Sequence, residues 1–172
     1  MPSEWVKAVL DLLEIRKAVV SELSSHVNTR VEMNNQKASK KEYPFLGYQF
    51  TSPYIEGDGY GIYTKETSGD DVEVTRTTFP RLTLSMTAYD MDPNESFTLA
   101  KKAHAWFSFQ GYDYLKRNGL VVTETGSIEN RDTLIADDYE RRNGFDVQLR
   151  TTEQLSMMLP AIETVQIGRS EE

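Results

Sequence analysis

The run Phe145-Asp-Val-Gln-Leu-Arg150 constrains the fold more than any other stretch, because it changes character at every residue. Phe145, Val147 and Leu149 share one face and Asp146, Gln148 and Arg150 the other, the pattern of a strand with one buried and one wet side. The run from Arg81 to Ala88 repeats it, with Leu82, Leu84, Met86 and Ala88 set against Arg81, Thr83, Ser85 and Thr87. Strands of this kind need an apolar layer on one side only, so a sheet covered by helices on one face is expected.

Two segments supply those helices. Residues 3 to 27 place Trp5, Val9, Leu12, Leu13, Val19, Val20, Leu23 and Val27 on one stripe at 100° per residue. Arg16 falls inside that stripe, where it either snorkels to water or meets a carboxylate on a neighbouring subunit. The second helix carries strong punctuation, with Asp92 as N-cap, Pro93 at the first helical position and Glu95 in a capping-box arrangement. Its apolar face is Leu99, Ala100, Ala103, Trp106 and Phe107. Gly111 breaks or kinks it, a short turn follows over Tyr112 to Arg117, and Asn118-Gly119 supplies a left-handed stop.

Further strands are expected at Thr29 to Met33, Tyr43 to Tyr54, Ile62 to Thr64, Val72 to Ala88, Leu120 to Ile128 and Gly144 to Thr152. Pro80 marks a bulge or an edge. The turn-rich segments Gly57-Asp-Gly-Tyr-Gly61 and Ser68-Gly-Asp-Asp71 suit a long hairpin-like arm over about 55–71. A short apolar piece, Ile162 to Ile167, precedes a polar tail from 168 to 172. The fold class is therefore α+β: an antiparallel or mixed sheet with two main helices packed on it and an arm. At 172 residues the chain reads as a single domain, able to bury roughly 70% of its unfolded surface.

The segment leading into the alternating run is of another kind. Between 129 and 143 stand Glu129, Arg131, Asp132, Asp137, Asp138, Glu140, Arg141 and Arg142, eight charged residues read as a long loop between two strands. Mixed charge at that density suits a surface that pairs with protein. Tyr and Arg are the residue types that anchor such surfaces. Arg16, Tyr60, Tyr63, Asn130, Arg131, Asp132, Tyr139, Arg141 and Arg142 are the candidates for contacts between subunits or with a partner.

Reactive chemistry is sparse. With no cysteine, disulfides, thiolate metal sites and Cys nucleophiles are all excluded. His26 and His104 have no acid or nucleophile at a recognisable spacing. Gly57 to Gly61 lacks a phosphate-loop pattern. Asp90-Met-Asp-Pro-Asn94 opens like a calcium loop, but Glu95 occupies the position where the sharp turn needs Gly. No catalytic residue, cofactor or metal is expected. A net charge of −8 opposes general nucleic-acid binding. No apolar run reaches the length of a membrane helix, and Met1-Pro-Ser-Glu lacks the basic start of a secretory leader.

Residues 79 to 167 resemble the tail or neck terminator proteins of tailed bacteriophages. The likeness is carried by Pro80-Arg-Leu-Thr-Leu-Ser-Met-Thr-Ala-Tyr89, Ala100 to Phe107, Tyr114-Leu115 and Gly119-Leu-Val-Val122. Its specific part is Asn130-Arg-Asp-Thr-Leu134 and Tyr139-Glu-Arg-Arg-Asn-Gly-Phe-Asp-Val147, and it ends on Ile162-Glu-Thr-Val165. The resemblance implies a virion protein without enzymatic activity that forms a ring, usually of six, capping the tail tube. Its implied partners are copies of itself, the tail tube protein, a head-completion or connector protein and, in a contractile tail, a sheath protein. DNA would pass through the lumen without specific binding, and assembly would take place in the host cytoplasm. Two alternatives stand beside it: another ring-forming neck part, and a small acidic enzyme or ligand binder using His104, Asp90 and Asp92.

Overall fold

The computed structural model describes residues 6–8, 11–34 and 42–160. In chain order the elements are β1 (Val6–Ala8), α1 (Leu12–Val27), β2 (Val31–Met33), β3 (Phe45–Ile55), β4 (Ile62–Ser68), β5 (Asp71–Thr78) and β6 (Arg81–Asp90). Then follow α2 (Pro93–Ala105), a π-helical turn (Trp106–Gln110), α3 (Tyr112–Arg117), β7 (Val121–Thr125), β8 (Glu129–Asn130), β9 (Thr133–Ile135), β10 (Asp138–Arg150) and β11 (Glu153–Pro160). The large sheet runs β2-β3-β6-β10-β7, with β8 and β9 also laid against β10; a second sheet runs β1-β11-β5-β4. Among the described residues only the β2–β3 pairing is parallel, so the large sheet is mixed and the fold is α+β.

The two alternating runs lie side by side. Phe145 faces Met86, Val147 faces Leu84 and Leu149 faces Leu82 across the β10–β6 ladder, and all six are buried. Against this row pack Ile15, Val19, Leu23 and Val27 from α1 and Leu99, Ala100, Ala103, Trp106 and Phe107 from α2 and the turn after it. Phe107 meets the edge of Phe145 at 6.2 Å between ring centroids. Aromatic burial of this kind supplies much of a small domain's stability.

The helix signals act as their chemistry requires. Asp92 accepts from the backbone N–H of Asn94 at 2.7 Å and of Glu95 at 3.1 Å, satisfying donors that the first turn leaves orphaned. Gly111 sits where a Cβ would collide with the Trp106 indole. That ring fills the space beside the break, so only glycine fits. Gly119 takes φ +75°, as the stop after α3 demands.

Four expectations need correction. The first helix begins at Leu12: Asp11 caps it, accepting from Leu13 N–H at 2.8 Å, while Val6–Ala8 is a strand on β11. Ile15 belongs to the buried stripe at i, i+4, i+8 and i+12, and Leu13 is exposed. The expected stripe residues Trp5 and Val9 lie outside the described residues. Next, Val72 to Ala88 is two strands in two sheets, parted at Phe79-Pro80. Pro80 cannot donate to a ladder, and its carbonyl accepts from Thr151 N–H at 3.0 Å. Third, the charged stretch is a folded ribbon: β9 returns on the start of β10 at Leu134–Tyr139, and β8 pairs further along. Finally, Glu153–Pro160 forms β11, which the sequence reading left unassigned, while the Ile162–Ile167 piece lies outside the described residues.

The ribbon of β6 and β10 continues as β5 and β11 past Pro80 and Thr151, and so passes from the large sheet into the small one. The β9–β10 hairpin and the small sheet therefore stand at opposite ends of β10. That strand is roughly 40 Å long at about 3.3 Å per residue.

Candidate assembly surfaces

The Asn130-Arg-Asp132 segment, which begins on the last residue of β8, works as a clasp on the face of the large sheet away from the helices. Arg131 lies across β6 and β10: Nη1 donates to Ser85 Oγ at 2.8 Å and Thr87 Oγ1 at 3.3 Å, and Nη2 to Asp146 Oδ1 at 3.1 Å. Its own N–H donates to Arg142 O at 2.7 Å. Asp132 accepts from Arg142 N–H at 2.7 Å, from Arg141 Nη1 at 3.1 Å and from Asn130 Nδ2 at 3.3 Å. Burial pushes the Asp132 carboxyl up, but the bonds from the Arg142 N–H, Arg141 and Asn130 outweigh it and hold its pKa below the usual value.

A second network adjoins the clasp on the same face. Phe45, Tyr89 and Arg142 occupy one row across β3, β6 and β10. The Phe45 and Tyr89 rings stack at 4.5 Å, and the Arg142 guanidinium lies 5.2 Å from the Tyr89 centroid. Arg142 also pairs with the carboxylate of Glu140, which is buried and accepts a hydrogen bond from the Tyr43 hydroxyl as well. Burial and the bond to Glu140 push the Tyr43 phenol up to about 12.

The structure thus brings Asn130, Arg131, Asp132, Arg141 and Arg142 together and engages them with one another and with the sheet. Tyr139 stands next to them on the hairpin tip, under the Arg141 guanidinium at 5.3 Å. Tyr60 and Tyr63 lie elsewhere, before and on β4, and Tyr60 is 91% exposed. Arg16 stands apart on α1, half-buried, with Nη1 4.0 Å from Met33 Sδ and Tyr48 and Val20 beside it. His104 Nε2 lies 3.1 Å from Gly126 O; a carbonyl only accepts, so that nitrogen carries the hydrogen and ties α2 to the end of β7.

The sequence reading missed several exposed apolar side chains. Leu134 and Ile135 stand out at the hairpin tip at 57% and 48% exposure, and Met157 and Leu159 on β11 at 40% and 42%. Two signals could have found them. Leu134-Ile135 is an apolar pair inside a charged stretch, and Leu155, Met157 and Leu159 alternate with Gln154, Ser156 and Met158. Among the described residues no group of His, Asp and Glu is placed to hold a metal ion, and no helix is long and apolar enough to cross a membrane.

These features define a small α+β protein whose conspicuous exposed side chains stand on a hairpin and an open sheet. Over residues 14–171 the chain matches the family described as phage neck terminator protein, and it belongs to that family. It is accordingly a structural component of the phage neck, and so of the virion. No curated protein matches it.

Proposed function

We propose that copies of this chain close into a ring, six in number, that caps the tail tube, halts its polymerisation and presents a surface to the head-completion or connector protein. A sheath protein would be a further neighbour in a contractile tail. The whole chain, 1–172, acts in this as one domain without catalytic activity, and the ring assembles in the host cytoplasm. Membership of the neck terminator family across nearly the whole chain carries this reading. A ring needs two different patches on each subunit, one for each neighbour. The clasp-supported hairpin and the segment of about 55–71 that includes Tyr60 and Tyr63 are the candidates. Each copy carries −8, and an acidic lumen would let DNA pass without adsorbing to it.

Light scattering of the full chain, alone and with purified tail tubes, tests the reading. The expected result is a particle of ring mass, or a monomer that is consumed on tube ends and blocks their growth. A monomer that never associates and never binds tubes would contradict it.

A further inference from the structure

We infer that the β9–β10 hairpin tip of one copy docks on the apolar, cationic face of the small sheet of the next copy. This inference rests on the ring reading above and names the contact that closes the ring.

The small sheet has two unlike faces, because residues directly opposite in an antiparallel ladder share a side. Its rows Leu155–Arg76–Tyr63, Met157–Val74–Lys65 and Leu159–Val72–Thr67 fall on one face. Between them lie Gln154–Thr77–Ile62, Ser156–Thr75–Thr64 and Met158–Glu73–Glu66 on the other. The first face is a run of Leu, Met, Val and Tyr with Lys65 and Arg76 standing in it; the second sets Ile62 and Met158 among hydroxyls and the two acids Glu66 and Glu73, so the faces differ chiefly in the sign of their charge. The first face also includes Glu153, which is buried and receives the Tyr54 hydroxyl at 3.3 Å. Among the described residues the small sheet packs chiefly within itself and makes little contact with the helices or the large sheet. Met157, Leu159 and Tyr63 are all at least 40% exposed. Val74 in the middle of this face is buried, and the exposed apolar side chains ranged about it mark an interaction site.

The hairpin tip has the complementary character. Leu134 and Tyr139 are paired across it on one side, Ile135 and Asp138 on the other, and the turn between the strands carries Asp137. No Lys or Arg lies between Thr133 and Glu140. Arg141, the nearest cation on β10, is matched by Asp132 at 3.1 Å. The tip therefore offers an apolar pair with the Asp137 carboxylate in the turn beside it, and the sheet face offers an apolar bed flanked by an ammonium and a guanidinium. Complementary charge of this kind sets register and suppresses the opposite docking, onto the acidic face. Tyr139 is an anchor of the type that dominates interface energetics.

The occupant is a second copy. The tip and the small sheet stand at opposite ends of β10, too far apart to meet within one subunit. Contact between two different patches is heterologous. It propagates from copy to copy and ends only on closure.

The native chain has no cysteine, so introduced pairs report cleanly. Leu134→Cys protein is mixed with Met157→Cys protein, with tail tubes present, and oxidised mildly. The expected product is a 134–157 disulfide dimer. Leu134→Cys with Met158→Cys, on the opposite face, should give at least about tenfold less. Charge exchange is the second measurement. Asp137→Lys should weaken association roughly tenfold at low salt, and Lys65→Glu on the same chain should restore it. If the mass of the assembly matches a ring but neither cross-link nor rescue is seen, this contact is wrong and the ring survives. If nothing larger than a monomer forms with or without tubes, the ring reading fails and the contact with it.

Discussion

Arg131 lies where Gly144 leaves β10 bare: a Cβ on Gly144 would stand 2.8 Å from Arg131 Nη1 and 2.7 Å from Met86 O. Arg131 could draw back only by giving up its bonds to Ser85, Thr87 and Asp146, and Met86 O is ladder backbone that cannot swing away. The glycine in the middle of a long central strand is thus the seat of the clasp. Gly144→Ala should destabilise the chain by about 1–3 kcal/mol, read as a lower urea midpoint, although alanine ordinarily suits a strand better than glycine.

Arg142 belongs to the fold more than to any surface. Its guanidinium covers Tyr89 and pairs with the buried Glu140 carboxylate, so charge reversal there sets two acids together. Arg142→Glu should cost about 2–3 kcal/mol in urea unfolding, somewhat below the loss for a fully buried pair because Arg142 is partly open to water. Arg141→Ala should cost about 1 kcal/mol or less, since its bond to Asp132 is more exposed. A double reversal at both positions therefore reports on folding as well as assembly, and Leu134 and Tyr139 are the cleaner probes of an interface.

Asp132 makes the clasp acid-sensitive. Its folded pKa is depressed, so the ionised carboxylate contributes stability that is fully present above its ordinary value of 3.8 and is lost as pH falls through the folded value. Urea midpoints should drop as the pH is taken below about 4. In Asp132→Asn the chain should be less stable at pH 7, and its acid-dependent loss should be smaller than that of the wild type.

The hairpin turn stores a little strain. Ala136 takes φ 53°, in the left-handed region that a Cβ disfavours. Ala136→Gly should raise stability by about 0.5–1 kcal/mol, the strain relieved less the added chain entropy of glycine. Thermal unfolding with assembly measured in parallel checks it, and the tip should keep its binding.

The strands with one wet face were legible, because Phe145–Leu149 and Leu82–Ala88 alternate against a helical layer and alternation is a local property. So were the caps Asp92 and Gly119, which act within one turn. The break at Pro80 was visible as a proline, but its consequence was not. Whether a ribbon kinks within a sheet or crosses into another depends on what Thr151 and β11 do seventy residues later. The charged stretch misled for a related reason. Composition says that Arg131, Asp132 and Arg142 are polar, and only the fold shows that they satisfy one another across β10. The candidate list therefore caught the right segment but favoured its Arg side chains over Leu134 and Ile135, which stand exposed beside them.

Electron cryo-microscopy of the assembled neck tests the central claim most directly. The account predicts a closed ring of this chain seated on the last layer of the tail tube, each hairpin tip resting on its neighbour's small sheet. Density showing the chain as an isolated subunit, or absent from the tube end, would contradict it.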